Sequence, residues 1–360
     1  MSQPPQFGRV SRPDEAMLAR AVPEDVLEPD LALVDTHHHL FLMDDNPYPL
    51  DAYLNDAATG HHLLASVYVQ GGHTWLAGGA GTETYRPDGP EELRSVGETE
   101  YVNELGERCA QNASDPLACA GIVGYVDLTL GDNAAAILEE HIRAGGGCFK
   151  GIRQSSAWDP DPRIGSVAQA PGTYARADFR TGLSRLTALG LSLDAWVFYH
   201  QLDELVDLAR ACPDANIIMG HCGGPLGYGP YTGRRDEVFA AWKHGMVKLA
   251  ACQNVSIKLG GLTMRLASYD YTGTDRPPTS AELAGLWGPY VETCIELFGP
   301  GRAMFESNFP VDKMGIGWIA LWNAYKRICA GMSLQEKTQL FSGTATRAYR
   351  LQVSDRRVSA

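Results

Sequence analysis

Three consecutive histidines, His37, His38 and His39, close the apolar run "LALVDTHHHL" near the start of the 360-residue chain. Side chains alternate between the two faces of a strand, so His37 and His39 look one way and His38 the other. Two imidazoles at that spacing, at a strand end, can grip one divalent cation. The competing reading is a chance cluster. A second candidate, His221, ends the apolar run in "IIMGHCGGP". Gly223 and Gly224 behind it let the chain turn sharply and leave the ring open to a pocket, for ligation or for proton transfer. His37, His39 and His221 are therefore the expected metal ligands, with Zn or Mn the ions that suit such donors. His200, at the end of "AWVFYH", is either a substrate contact or a polar residue starting a helix. His61, His62, His73, His141 and His244 read as helix-surface or loop positions, with His73 a candidate lid residue.

The charged candidates follow. Lys150 and Arg153 in "FKGIR" differ by an odd number, so only one points inward, and an arginine there suits bidentate capture of a substrate carboxylate. Lys258 in "SIKLGG" puts an ammonium into an apolar strand and requires a counter-charge, for which Glu306 is the expected partner. Glu306 itself lies in "RAMFESNFPVD", two residues before Asn308 and six before Asp312. Glu306 and Asn308 share a strand face, with the carboxylate about 6–7 Å deeper. Loop residues Trp158, Tyr174 and Tyr228 are expected to close over a substrate ring. Lys258, Arg234, Arg235 or Arg265 are candidates for a second substrate-carboxylate contact.

These residues need a frame, and the pattern supplies one. Apolar strand candidates at 31–40, 63–70, 118–127, 148–153, 191–198, 216–222, 254–261 and 303–309 alternate with amphipathic stretches such as 132–144, 178–189, 201–211 and 280–298. Eight strand–helix alternations predict an α/β fold with a parallel sheet, closed as a (β/α)8 TIM barrel rather than left open. Connections into strands are short. Those leaving strands at 71–92, 154–177, 223–237 and 263–279 are long, which puts them on one rim and predicts a lidded pocket there. The expected organisation is an N-terminal extension (1–30), a single barrel (31–351) and a C-terminal tail (352–360).

A net charge of −13 with no basic block excludes a nucleic-acid partner. No apolar run approaches the ~20 residues of a membrane span. The eight cysteines are scattered with no C-x-x-C pair, and the polar, proline-bearing N-terminus does not read as a signal peptide. Together these predict a cytoplasmic protein with reduced thiols. The expected partner is a small molecule. Self-association is compatible with a barrel of this size, but no interface is marked.

Taken together, "VDTHHHL", "FKGIR", "PDANIIMGHCGGP", "NVSIKLGGL", "MFESNFPVD" and "LFSGTATRAYRL" resemble the amidohydrolase superfamily, and more closely its amidohydrolase-2 group of metal-dependent TIM-barrel hydrolases. The resemblance implies a mononuclear or metal-independent site at the barrel mouth and hydrolysis of a cyclic ester. It also implies pocket roles for His37, His39 and His221. The group commonly ends its eighth strand Ser-Asp-Trp-Pro, its aspartate binding metal and taking a proton from water. Here the matching residues are Ser307, Asn308, Phe309 and Pro310. An amide cannot accept that proton. The candidates for the base are Glu306, then Asp312, then His221. The alternatives are a non-oxidative decarboxylase or hydratase, which the amide would impair less, and a non-catalytic barrel that keeps only the pocket.

Overall fold

The computed structural model describes residues 13–43, 46–71, 86, 88–112, 116–264 and 274–353. His73, Arg265, most of the 71–92 loop, the middle of the 263–279 loop and residues 354–360 of the expected tail lie outside these.

Eight parallel strands form one sheet in sequence order, with a short β2–β3 hairpin lying outside it. They are β1 (Ala32–His38), the hairpin β2 (Phe41–Met43) and β3 (Asn46–Tyr48), then β4 (His62–Val69), β5 (Leu117–Gly124), β6 (Phe149–Ser155), β7 (Ser192–Trp196), β8 (Asn216–Met219), β9 (Val255–Leu259) and β10 (Ala303–Phe305). Helices α1 (Leu50–Ala57), α2 (Val96–Gln111), α3 (Ala134–Gly145), α4 (Ala177–Ala188), α5 (Leu202–Ala211), α6 (Arg235–Ala250), α7 (Ser280–Phe298) and α8 (Trp318–Ile328) follow the sheet strands in turn. This is the expected (β/α)8 barrel. The β2–β3 hairpin is an addition that the apolar pattern did not announce.

The barrel closes without a full ladder between its first and last strands. Asn308 donates its N–H to the His37 carbonyl at 2.8 Å, and His39 donates to the Phe309 carbonyl at 2.8 Å. The Asp35 carboxylate completes the seam, accepting from the Ser307 backbone N–H (2.8 Å), the Ser307 hydroxyl (2.7 Å) and the Tyr53 hydroxyl (2.9 Å). Burial pushes the Asp35 carboxyl up to about 6 against those donors.

Two apolar layers form. An inner set of Val34, Val67, Val123, Ile218 and Met304 fills the barrel and is closed by Tyr349 and Leu351 from the C-terminal segment. An outer set holds the helices, with Trp242, Trp287 and Trp322 fully buried. At roughly 25 cal/mol per Å2 of apolar area, burying these large rings adds strongly to the driving force. Val34 belongs to the inner set, so strict alternation would turn His37 outward. The β1–β4 register slips between Asp35 and His38, and such a bulge re-aims side chains. His37 therefore enters the barrel, while His38 faces out, stacked on Tyr53 and bonded to the Ser66 hydroxyl at 2.9 Å.

Candidate active site

The carboxyl ends of the sheet strands bring six buried polar side chains together inside the barrel mouth: His37 from β1 and His39 just after it, Arg153 from β6, His221 after β8, Lys258 from β9 and Glu306 after β10. Their backbones are shaped for it. His221 and Cys222 have positive φ, which aims the imidazole back over the barrel. Gly261 passes so close beneath it that a Cβ would lie 2.3 Å from His221 Nδ1, so only glycine fits.

Glu306 is the hub. Its Oε1 accepts from His221 Nδ1 at 2.7 Å and from the His221 backbone N–H at 3.0 Å. Its Oε2 lies 3.1 Å from His37 Nδ1, yet makes no hydrogen bond and is fully buried. A carboxylate only accepts, so His221 donates from Nδ1, and Nε2 is its ligating atom. His39 is set the same way, its Nδ1 donating to the Val69 carbonyl at 2.7 Å. The Nε2 atoms of His37 and His39 are 3.2 Å apart. Burial holds both rings well below the usual histidine range, and nearby cations push them the same way: Lys258 at His37 and Arg153 at His39. They are neutral and able to ligate.

His37, His221 and Glu306 each offer a donor within 4.8 Å of the others, so the cluster can hold a metal ion. The fit is good: two imidazoles with a hydrogen-bond-free, buried carboxylate oxygen are the donor types that divalent zinc or manganese takes. Two nitrogens bound to one tetrahedral ion at 2.0–2.1 Å stand about 3.3 Å apart. The His37–His39 pair matches that spacing on the ring edge away from Glu306.

Arg153 lies 3.4 Å from His37 Nε2 and donates to the Gln70 carbonyl; burial brings it down to about 10. Of the FKGIR pair it is the inward member. Lys150 turns to the Gly147 and Arg350 carbonyls. Lys258 is inward, but its partner is not Glu306. It pairs with Asp194 of β7 at 2.7 Å, and the Tyr349 hydroxyl donates to the same oxygen at 2.7 Å. Glu306 lies nearer the mouth, where the histidines claim it. Asp194 was missed by sequence reasoning, although an acid inside the apolar run "LSLDAWVF" was a signal of a buried counter-charge.

Asn308 adopts positive φ and donates its amide to Asp312 Oδ1 at 2.9 Å. Asp312 is fully buried. Burial raises its carboxyl to about 7 against bonds from Thr263 and Asn308, with Glu306 adding to the rise. His200 sits elsewhere, 2.9 Å from Asp159 on the rim, where Tyr231 donates to the same carboxylate oxygen at 2.7 Å. Tyr174 is buried, its hydroxyl on the Gln154 carbonyl, so it is a wall rather than a lid. Arg234 pairs with Glu237, and Arg235 bonds the Leu286 carbonyl. Trp158 and Tyr228 are half-buried in the rim loops. His141, expected on a helix surface, is instead buried against Thr99 and Phe149. His61 is also buried, bonded to Lys326 at 2.9 Å.

Comparison with known proteins agrees with this architecture. The chain is 31% identical over 328 residues to the uncharacterized protein y4mH of Sinorhizobium fredii, covering 89% of this chain and 99% of that one. It is 26% identical over 271 residues to the L-fucono-1,5-lactonase of Burkholderia ambifaria, covering 72% and 78%. An amidohydrolase from Burkholderia multivorans solved with bound zinc superposes with a TM-score of 0.64 at 23% identity, over 89% of this chain and 99% of that chain, which shows the shared fold. Residues 34–351 match the amidohydrolase family model. With its barrel, its mouth and almost its whole length accounted for, this chain belongs to the amidohydrolase family and is an enzyme of that type.

Proposed function

We propose that the enzyme hydrolyses a lactone of a small carboxylate-bearing substrate, assisted by one divalent ion held by His37, His221 and Glu306, with His39 alongside. The observation that carries this is the buried cluster of His37, His221 and Glu306, whose donor atoms all lie within 4.8 Å of one another at the barrel mouth. The likeness to a lactonase supports the substrate class, and zinc in a structural relative supports the ion. When bound, the ion polarises a carbonyl and makes water more acidic.

The chain's own groups do the rest. Glu306 orients His221 through Oε1 and offers its hydrogen-bond-free Oε2 beside His37 to the ion, so it is not the base. Asp312 is the proposed base. Its hydrogen-bond-free Oδ2 and its position near neutrality suit it to take the water proton, which then passes to the ring oxygen as the ester C–O bond breaks. Arg153, buried and rigidly held, is positioned for a substrate carboxylate or the developing oxyanion. The product is a hydroxy acid.

The amide at Asn308 favours one other reading, a decarboxylase, since that reaction needs no base for an attacking water. A panel of sugar-acid and aromatic lactones beside aromatic carboxylates, assayed for acid release and for carbon dioxide, decides it. Ring opening with no carbon dioxide is the expected result; carbon dioxide alone sinks the lactonase.

A further inference from the structure

The β2–β3 hairpin and α1 follow directly after β1, and nothing in the proposed reaction accounts for them. Both reach across to the segment that carries Asp312. That residue opens a single 3-10 turn, Asp312–Met314, between β10 and α8. Neighbouring side chains of the turn go opposite ways. Asp312 is fully buried, its Oδ1 accepting from the Asn308 side-chain amide at 2.9 Å. Lys313 leaves the barrel, with 19% of its side chain exposed. Its Nζ donates to both carboxylate oxygens of Asp56 on α1, at 2.9 and 2.8 Å. The Tyr48 hydroxyl of β3 donates to the same carboxylate at 2.6 Å, and the ammonium lies 5.4 Å from the centre of the Tyr48 ring. One carboxylate thus joins the hairpin, α1 and the turn.

The backbone bonds of the turn are local. Asp312 donates its N–H to the Asn308 carbonyl at 3.1 Å, and Gly315 and Ile316 donate to the Asp312 carbonyl at 3.1 and 3.3 Å. Such bonds keep the shape of the turn, whereas its tilt against the barrel is set by contacts with other elements. Helix α1 is a fixed post for that purpose. Its Tyr53 donates to Asp35 in the barrel seam at 2.9 Å and meets Trp318, the first residue of α8, edge-on at 5.6 Å. An ion pair as exposed as Lys313–Asp56 adds little to overall stability. What it restrains is direction, one residue away from a buried carboxyl.

We propose that Lys313, clamped by Asp56 and Tyr48, is a positioning residue that holds the Asp312 carboxyl at its working place in the mouth, a role that rests on the reading of Asp312 as the base. Proton transfer needs heavy atoms within about 2.6–3.2 Å of each other. A tilt of the turn by about an ångström therefore slows the reaction while leaving the ion's ligands untouched.

Lys313→Met removes the clamp and leaves Asp56, itself 20% exposed, within reach of water, so the fold is not at stake. Lys313→Arg keeps a cation for Asp56. The full zinc-loaded chain is assayed on the lactone opened fastest in the panel above, and amide hydrogen exchange is followed at Gly315 and Ile316. In Lys313→Met, exchange at these two amides is expected to quicken about tenfold while the β9 amides stay as they are. The value of kcat is expected to fall about tenfold, with KM and zinc affinity changing less than about twofold. Lys313→Arg should restore most of both losses. On an Asp312→Asn background, Lys313→Met should cost nothing further, because the group it positions is gone. Unchanged exchange, unchanged kcat, a parallel loss of zinc affinity, or a loss of rate that persists in full without Asp312 each overturns the proposal. If Asp312→Asn alone leaves kcat intact, the base reading itself has failed, and Lys313 only ties loops together.

Discussion

Glu306 and Asp312 are two buried carboxylates six residues apart, on either side of Asn308. Each sits in a protein interior that should punish its charge, and the two solve that problem differently. Glu306 faces the Nδ1 atoms of two histidines and a backbone N–H. Asp312 has one amide and the neighbouring Thr263, and burial leaves it near neutrality. A carboxylate held by several strong donors orients its neighbours. One that lacks them changes state at working pH. On the proposed reading, the missing eighth-strand aspartate is replaced by a division of labour.

The widest test of that contrast is Asp312→Asn. If Asp312 is the base, kcat falls by about 10^2 to 10^4 with KM little changed. The parent's rate should rise as pH passes through about 7, and the variant should lose that limb. A drop below threefold would break the comparison. Glu306→Gln should act differently, weakening metal affinity by about 10- to 100-fold as the two rings lose their orienting acceptor. Added zinc should restore much of its activity, whereas zinc should do nothing for Asp312→Asn.

Stability sharpens the same distinction. The folded Asp312 carboxyl lies near 7 against an ordinary value of 3.8. Its contribution to stability is therefore complete below about pH 4 and is lost as pH rises through 7. The loss is up to roughly 4 kcal/mol at 1.36 kcal/mol per unit. Asp312→Asn should remove that decline, so denaturant midpoints of parent and variant should diverge in the variant's favour between pH 5 and 8. Asp35, raised to about 6, gives both proteins a shared slope of the same sign over a lower window. The smallest effect is expected of His200→Ala. With His200 paired to Asp159 on the rim and apart from the cluster, kcat should change less than about threefold. A larger fall would place the rim in the chemistry.

How much of this could be read from the residues depends on what kind of signal each feature leaves. The strands announced themselves because burial on both faces demands continuous apolar runs, and β9 and α7 lie within a residue or two of their expected bounds. His37 and His39 were legible through their spacing, even though a bulge, not simple alternation, turns them inward. Partnerships were harder. Lys258 was matched to Glu306 on the neighbouring strand, but depth along the barrel decides pairing, and Asp194 sits at the level of the ammonium. His200 follows a strand end as His221 does. Its turn sends it sideways to Asp159, and nothing in the local sequence distinguishes the two.

The seam between β1 and β10 ties residues that are 272 positions apart, through the Ser307 and Asp35 contacts. His37 lies on the first of these strands and Glu306 directly after the last. A chain emerging from a ribosome therefore cannot own this pocket in part. Until its last strand has docked against its first, Asp35 has no seam to close and the histidines no carboxylate to face. If Glu306 is a ligand as proposed, ion capture waits on completion of the fold, and a bound metal reports that the barrel has shut.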